Sequence, residues 1–503
     1  MPLHVFPSLT PLGTVERVEG RFHHAAISGE NYHALQLLAF LLPGRFDCIY
    51  IDPPYNTGDR DWKYNNDFTG RDDGWPHSRW LSFMERRLVL ARGLLHPEGV
   101  LAVAIDENEH AHLAMLLEAL FPDRSITSVA VVHNPRGVQG ENFSHTNEFV
   151  LFAIPSGLKA IAPRPLEPHA RRPSNLRNWG GESRRGDARN CFYPIFVEHS
   201  AVAGFGDVAP DDFHPKQAVE PLGEGRFAVW PIDRKGVERK WRYARDSVEK
   251  IRGQLAAEEA RGRIQVLLTK PAEQYRTVWQ DPLYDAGVYG TRLLRRFIDA
   301  DFPFPKSLYA VYQVLHACTA LKPDALILDF FAGSGTTLHA TCLLNSLDRG
   351  SRRCVLVTNN EVEEKLARAL AHRGRYPGDP EFEKEGIFEK VTVPRCRAAL
   401  TGLRHDSTPI PGRYRVGDGR AMAAGFEENV AFYRLDYLNP EKVCHGSGTE
   451  RRRAGACPLP PARPSLEALQ QLRDGASGTF GRPVLDFDGG DLCRAYLDHF
   501  AAR

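Results

Sequence analysis

The residues with the most specific chemistry are Asp52-Pro53-Pro54-Tyr55, within FDCIYIDPPYNTG. An aromatic exocyclic amine is a poor nucleophile because its lone pair is delocalised into the ring. A carboxylate and a rigid main-chain carbonyl that accept from both N–H groups favour the pyramidal, reactive form. Proline fixes φ and removes a competing donor, so the Pro53-Pro54 pair determines where such a carbonyl points. Tyr55 offers an aromatic face on which an extruded base can stack. The plainer reading is a proline-stiffened turn in which Asp52 caps the next helix. The apolar run before it, which reads as a buried strand delivering a loop at its carboxyl end, favours the chemical one.

A second candidate lies far along the chain in ALILDFFAGSGTT, residues 325–337. A strand ending in an acidic residue, then a Gly-x-Gly turn and a helix, suits a nucleoside cofactor, because glycines let the backbone approach a ligand and the helix start offers free N–H groups. No lysine follows the turn, so this is not a nucleotide-triphosphate loop. The two motifs together describe methylation of a base amine by an activated methyl donor, with no covalent nucleophile required.

Elements that could position these loops alternate in the expected way. WLSFMERRLVLARGLLHPEG (80–99) has helical periodicity with Gly99 as its stop; residues 100–106 and 128–134 read as strands and 112–121 as a helix. The rhythm breaks after Asn134 and returns with a helix at 307–319, the glycine-loop strand, a strand from Cys354 and a helix through EKLARALAHR. The pattern is that of an α/β sheet with crossover helices, carrying an inserted module.

IYIDPPYNTG and LDFFAGSGTT resemble motifs IV and I of the DNA amino-methyltransferases, in the order of their β group. DPPYNTG and the segment from Trp80 to Asp106 resemble the modification (Mod) subunit of type III restriction–modification systems; the likeness covers about 27–134 and 289–370. The resemblance implies a circularly permuted, Rossmann-like S-adenosylmethionine-dependent methyltransferase fold with a mixed seven-stranded sheet. Residues 1–134 would be the catalytic half, 135–291 a target-recognition insert, 292–400 the cofactor half, and 401–503 a C-terminal extension with an irregular last part. FEENVAFYRLDYLNPEKV (426–443) also resembles a segment of the relatives. It implies Asp52, Pro53, Pro54 and Tyr55 as catalytic. S-adenosylmethionine would be held by Asp329, Phe331, Gly333, Gly335, Thr336, Lys306 and, at the end of the next strand, Glu361, with Asn360 as the other register. The expected reaction is base-flipping methylation of adenine N6 in duplex DNA. Cytosine N4 is the nearest alternative, and a non-catalytic DNA-recognition subunit is the alternative of another class. A homodimer and a separate helicase–nuclease partner are expected.

The remaining composition narrows this setting. With 503 residues, 42% apolar and 25% charged, the chain can bury a large core. Its net charge of +1 is not that of an overall basic nucleic-acid binder. Positive charge is local: eight Lys or Arg face three acidic residues between Lys159 and Arg189. Within that stretch Arg177, Trp179, Arg184 and Arg185 are the candidate DNA contacts. Nine cysteines without a CxxC pair argue against disulfides and a zinc cluster, and no metal ligands are expected. No signal peptide or membrane-length apolar run is evident, so a cytoplasmic chain without membrane contact is expected. His316 and His339 are read as packing residues.

Overall fold

The computed structural model describes residues 6–57, 75–140, 142–260 and 263–438. They fall into two compact units, one from the described parts of 1–162 and 276–503, the other from those of Pro163–Tyr275.

The larger unit is built on one ten-stranded sheet. Its strands are β1 (Phe6–Val15), β2 (His23–Ser28), β3 (Phe46–Ile51), β4 (Leu95–Ile105), β5 (Arg124–Val132), β6 (Asn147–Pro155), β7 (Val278–Trp279), β8 (Leu326–Asp329), β9 (Arg353–Thr358) and β10 (Asn429–Leu438). Their spatial order is β1-β10-β2-β9-β8-β3-β4-β6-β5-β7. From β10 to β4 all neighbours are parallel, whereas β6 runs antiparallel to both β4 and β5. Seven strands, β2, β9, β8, β3, β4, β6 and β5, make the expected mixed sheet. The extra three arise because β10 and β1 extend one edge and the two-residue β7 the other.

Helices α1 (Asn31–Leu41), α2 (Pro76–Leu94) and α3 (His110–Leu120) pack in succession on one face, while α4 (Leu308–Thr319), α5 (Thr336–Asp348) and α6 (Val393–Thr401) associate with one another. Strand alternation divides the core between them. Ile49 and Ile51 of β3 join the buried cluster with Leu35, Trp80 and Leu88, whereas Cys48 lies beside Cys318 of α4.

Helix α2 ends at Leu94 rather than at Gly99. Gly99 instead sits in β4, where a Cβ would lie 2.7 Å from the Phe46 carbonyl oxygen, so this glycine serves a close strand approach and not a cap. The smaller unit is also tighter than 135–291: β6 pairs along its length with β4 and β5, and Val278–Trp279 pairs with β5, so both flanks belong to the large sheet. Pro163–Tyr275 has its own three- and four-stranded antiparallel sheets around Tyr193, Ile195, Trp241 and Leu268. Of the C-terminal extension, 429–438 supplies β10, whereas 439–503 lie outside the described residues. No helix among the described residues is long and apolar enough to cross a membrane.

Candidate functional site

Asp52 and Asp329 leave the sheet from the same ends of adjacent parallel strands, with Leu328 of β8 in register with Ile49 of β3. Parallel strands deliver their loops on one side, so the Asp-Pro-Pro-Tyr turn and the glycine turn share a rim although 277 positions separate the two aspartates, the difference of their numbers.

Around Asp52 the polar groups form a closed set. Tyr55 donates its hydroxyl to Asp52 Oδ1 at 2.8 Å and lies 3.1 Å from Glu148 Oε2. Lys306 Nζ contacts the Tyr55 hydroxyl and Glu148 Oε2 and lies 3.4 Å from Asp52 Oδ1. Burial pushes the Asp52 carboxyl up, and Glu148 adds to this, against the opposing pull of Lys306 and Tyr55. For Lys306 burial acts downward, yet Asp52 and Glu148 outweigh it and raise the ammonium, so it stays charged. The Tyr55 hydroxyl is lifted well above its usual range by burial, then by the two carboxylates, and remains a donor.

The prolines are oriented by the helix that follows. Trp80, fully buried on α2, donates Nε1 to the Pro54 carbonyl at 2.7 Å. That carbonyl is therefore occupied, and among the described residues the Pro53 carbonyl receives no protein donor.

The glycine turn is equally constrained. Gly333 and Gly335 take φ of +46° and +77°, left-handed values that favour glycine. Added Cβ atoms would stand 3.1 Å from Phe302 and from Cys396 Sγ. Asp329, 2% exposed, accepts from Phe331 N at 3.0 Å and from the Thr337 hydroxyl. Burial lifts its carboxyl to about 7, and the charge of Asp52 contributes to that rise. Asn31 of α1 secures the turn by donating to the Phe330 carbonyl at 2.8 Å.

Not every expected residue points to this rim. Phe331 is largely buried against Phe83 and Phe330. Thr336 accepts from the fully buried Arg395 at 2.6 Å, so its hydroxyl serves the interior. At the end of β9, Asn360 is held by Glu383 at 2.7 and 2.8 Å and accepts from Glu389 N, whereas Glu361 is half-buried with Asn359 3.3 Å from its carboxylate. The loop thus consumes Asn360.

In the smaller unit Arg185 is an interior residue, a correction to its place among the DNA contacts. Its guanidinium donates to the Phe213 carbonyl at 2.8 Å, pairs with Glu238 at 3.1 Å and covers the Phe192 ring at 4.1 Å. Arg177 lies over Trp179 at 4.5 Å and also donates to the Ile232 carbonyl. Trp179 and Arg184 are exposed. His339 is buried against Phe297 and bonded to Tyr414 at 2.8 Å, with burial holding its imidazole well below the usual range. His316 is half-buried on α4, and burial lowers it as well.

Glu148 is the residue that sequence reasoning missed. Its signal was the apolar run FVLFAI just after it, which marks a sheet strand within the stretch assigned to the insert.

A family model described as DNA methylase matches residues 46–347, more than half of the chain and both loops. The chain belongs to the DNA methylase family. This methylase is 33% identical over 348 residues to the type II methyltransferase M.KpnI of Klebsiella pneumoniae, spanning 66% of the chain and 79% of that relative. It is 25% identical to the EcoPI Mod subunit, a type III restriction–modification enzyme of Escherichia phage P1, over 83% of the chain and 69% of the relative. The StyLTI Mod subunit of Salmonella typhimurium is 26% identical, over 79% and 62%.

Proposed function

We propose that this methylase transfers a methyl group from S-adenosylmethionine to N6 of adenine within a short duplex-DNA sequence. The observation that carries the reading is the delivery of the Asp52–Tyr55 turn and the Asp329–Gly335 turn from neighbouring strand ends. The cofactor fits the second turn: two left-handed glycines keep it open to a ligand, Asp329 braces it from within through Phe331 N and the Thr337 hydroxyl, and Glu361, three residues past the end of β9, is the acid for polar groups of a nucleoside. Bound there, it supplies a methyl group already activated on a sulfonium.

The protein's part is orientation and charge. Asp52 Oδ1 is engaged by Tyr55 and Lys306, leaving Oδ2 to accept one amine N–H, and the Pro53 carbonyl accepts the other. On receiving that methyl group the amine nitrogen would have a proton to shed. Asp52, raised by burial, is the adjacent acceptor. The Tyr55 ring, held by its hydroxyl, presents a stacking face to the flipped base.

The smaller unit reads the target, with Trp179 and Arg184 as exposed contacts. The wider setting is cytoplasmic restriction–modification, with a homodimeric modification subunit and a separate helicase–nuclease. The Mod subunits among the relatives support this setting. The test is nucleoside mass spectrometry on duplex DNA treated with the full chain and S-adenosylmethionine. N6-methyladenine is expected, and Asp52→Ala should reduce it by roughly a hundredfold or more with the circular dichroism unchanged. N4-methylcytosine alone would refute the adenine assignment, and full turnover by the variant would remove Asp52 from the chemistry.

A further inference from the structure

Beside the catalytic turn stands a cluster that the methyl-transfer reading does not use. His77 at the start of α2, and Glu109 and His112 at the start of α3, bring three potential ligand atoms within 4.8 Å of one another. Glu109 is 0% exposed. Its Oε1 lies 2.8 Å from His77 Nδ1 and accepts from Asn56 Nδ2 at 2.6 Å. Its Oε2 lies 3.0 Å from His112 Nδ1, yet out of alignment, so both are buried polar atoms without a hydrogen-bond partner among the described residues. The two imidazoles stack at 4.5 Å with planes 29° apart.

We infer that His77, Glu109 and His112 form a binding site for a zinc-class divalent cation, with a fourth position open. A buried carboxylate costs free energy unless its charge is compensated, and here one oxygen and one facing nitrogen are left unused. Tetrahedral ligands of zinc at about 2.0–2.1 Å stand about 3.3 Å apart, close to the 3.0 Å between His112 Nδ1 and Glu109 Oε2, and the three groups lie within 4.8 Å, near enough to close on one ion. Two imidazoles and one carboxylate suit zinc, cobalt or nickel, whereas magnesium and calcium favour all-oxygen shells. With the ion on Oε2, Oε1 keeps the Asn56 amide, giving the outer hydrogen bond that usually orients a ligand. Asn56 follows Tyr55 and holds a left-handed φ of +57°, so the ion fastens the exit of the catalytic turn to α2 and α3. The inference stands independently of which base is methylated.

The test uses the full chain, stripped with a chelator and dialysed against zinc, and separately titrated with cobalt as a spectroscopic probe. Uptake of about one ion per chain is expected, together with the visible bands of tetrahedral cobalt and a rise of a few degrees in Tm with zinc. His77→Ala and His112→Ala should each weaken binding by at least about a hundredfold. His77 is half exposed at its side chain, so its replacement leaves the core intact. No uptake, preference for magnesium, or uptake unchanged in the double variant would overturn the assignment. The last result would place the ion elsewhere in the chain.

Discussion

Replacing Lys306 with methionine tests whether the site is held by balanced charge. The side chain of Lys306 is 12% exposed and that of its partner Glu148 6%, so water screens the pair poorly. With Lys306 present the cluster of Asp52, Glu148 and the ammonium carries a net charge of −1; without it two carboxylates face each other. Breaking a buried pair by removing one partner costs about 3–5 kcal/mol. There is a ceiling, because one carboxyl can take up a proton instead. From an ordinary value near 4.3, that costs about 1.4 kcal/mol per pH unit, or about 4 kcal/mol at pH 7.5. The expected loss in urea unfolding is therefore about 3–4 kcal/mol at pH 7.5. The sign of its pH dependence follows: the variant's folded state holds a proton that its unfolded state releases. Its deficit shrinks by up to about 1.4 kcal/mol per unit as pH falls toward 5. Lys306→Met/Glu148→Gln removes both charges and should recover most of the loss. A pH-independent deficit, a loss below about 1 kcal/mol, or a double variant no better than the single one would refute the reasoning.

Two further outcomes follow from the same geometry. Trp80→Phe leaves the Pro54 carbonyl without its donor and should cost about 1–3 kcal/mol of stability. It should also lower methyl transfer, and unchanged stability and turnover would deny Trp80 its orienting role. Because Asp329 is lifted to about 7, its protonated form is favoured in the folded state. Wild type should therefore lose stability relative to Asp329→Asn as pH rises from about 4 to 7 and hold level above, whereas parallel urea profiles would contradict the buried acid.

The parallel strands were legible because burial on both faces leaves continuous apolar runs, as in FDCIYI and LILD. The place of the Asp52–Tyr55 turn at a strand end was legible because an apolar run leads straight into an acid, two prolines and an aromatic. Strand β6 was not, since Arg, Gly and Pro on either side of residues 147–155 masked one short run, and Glu148 went with it. Gly99 was misread because a glycine after an apolar helix looks like a cap, while its real constraint, the Phe46 carbonyl, lies 53 positions away by residue number. Arg185 illustrates a related limit, in that a basic run does not reveal which guanidinium faces inward. His77, Glu109 and His112 offered only the Glu-x-x-His spacing at 109–112, because the third group meets them through the packing of α2 against α3.

The contact between Tyr55 and Lys306 closes a loop of 251 residues. As the chain leaves the ribosome, the Asp52–Tyr55 turn is made before β8 and the lysine, and so before it has its second neighbouring strand or its counterion. The nascent polypeptide consequently lacks the ammonium that faces Asp52 and Glu148 until the chain has run from Tyr55 to Lys306. A premature stop anywhere in the intervening unit would leave Asp52 and Glu148 without the lysine that balances them.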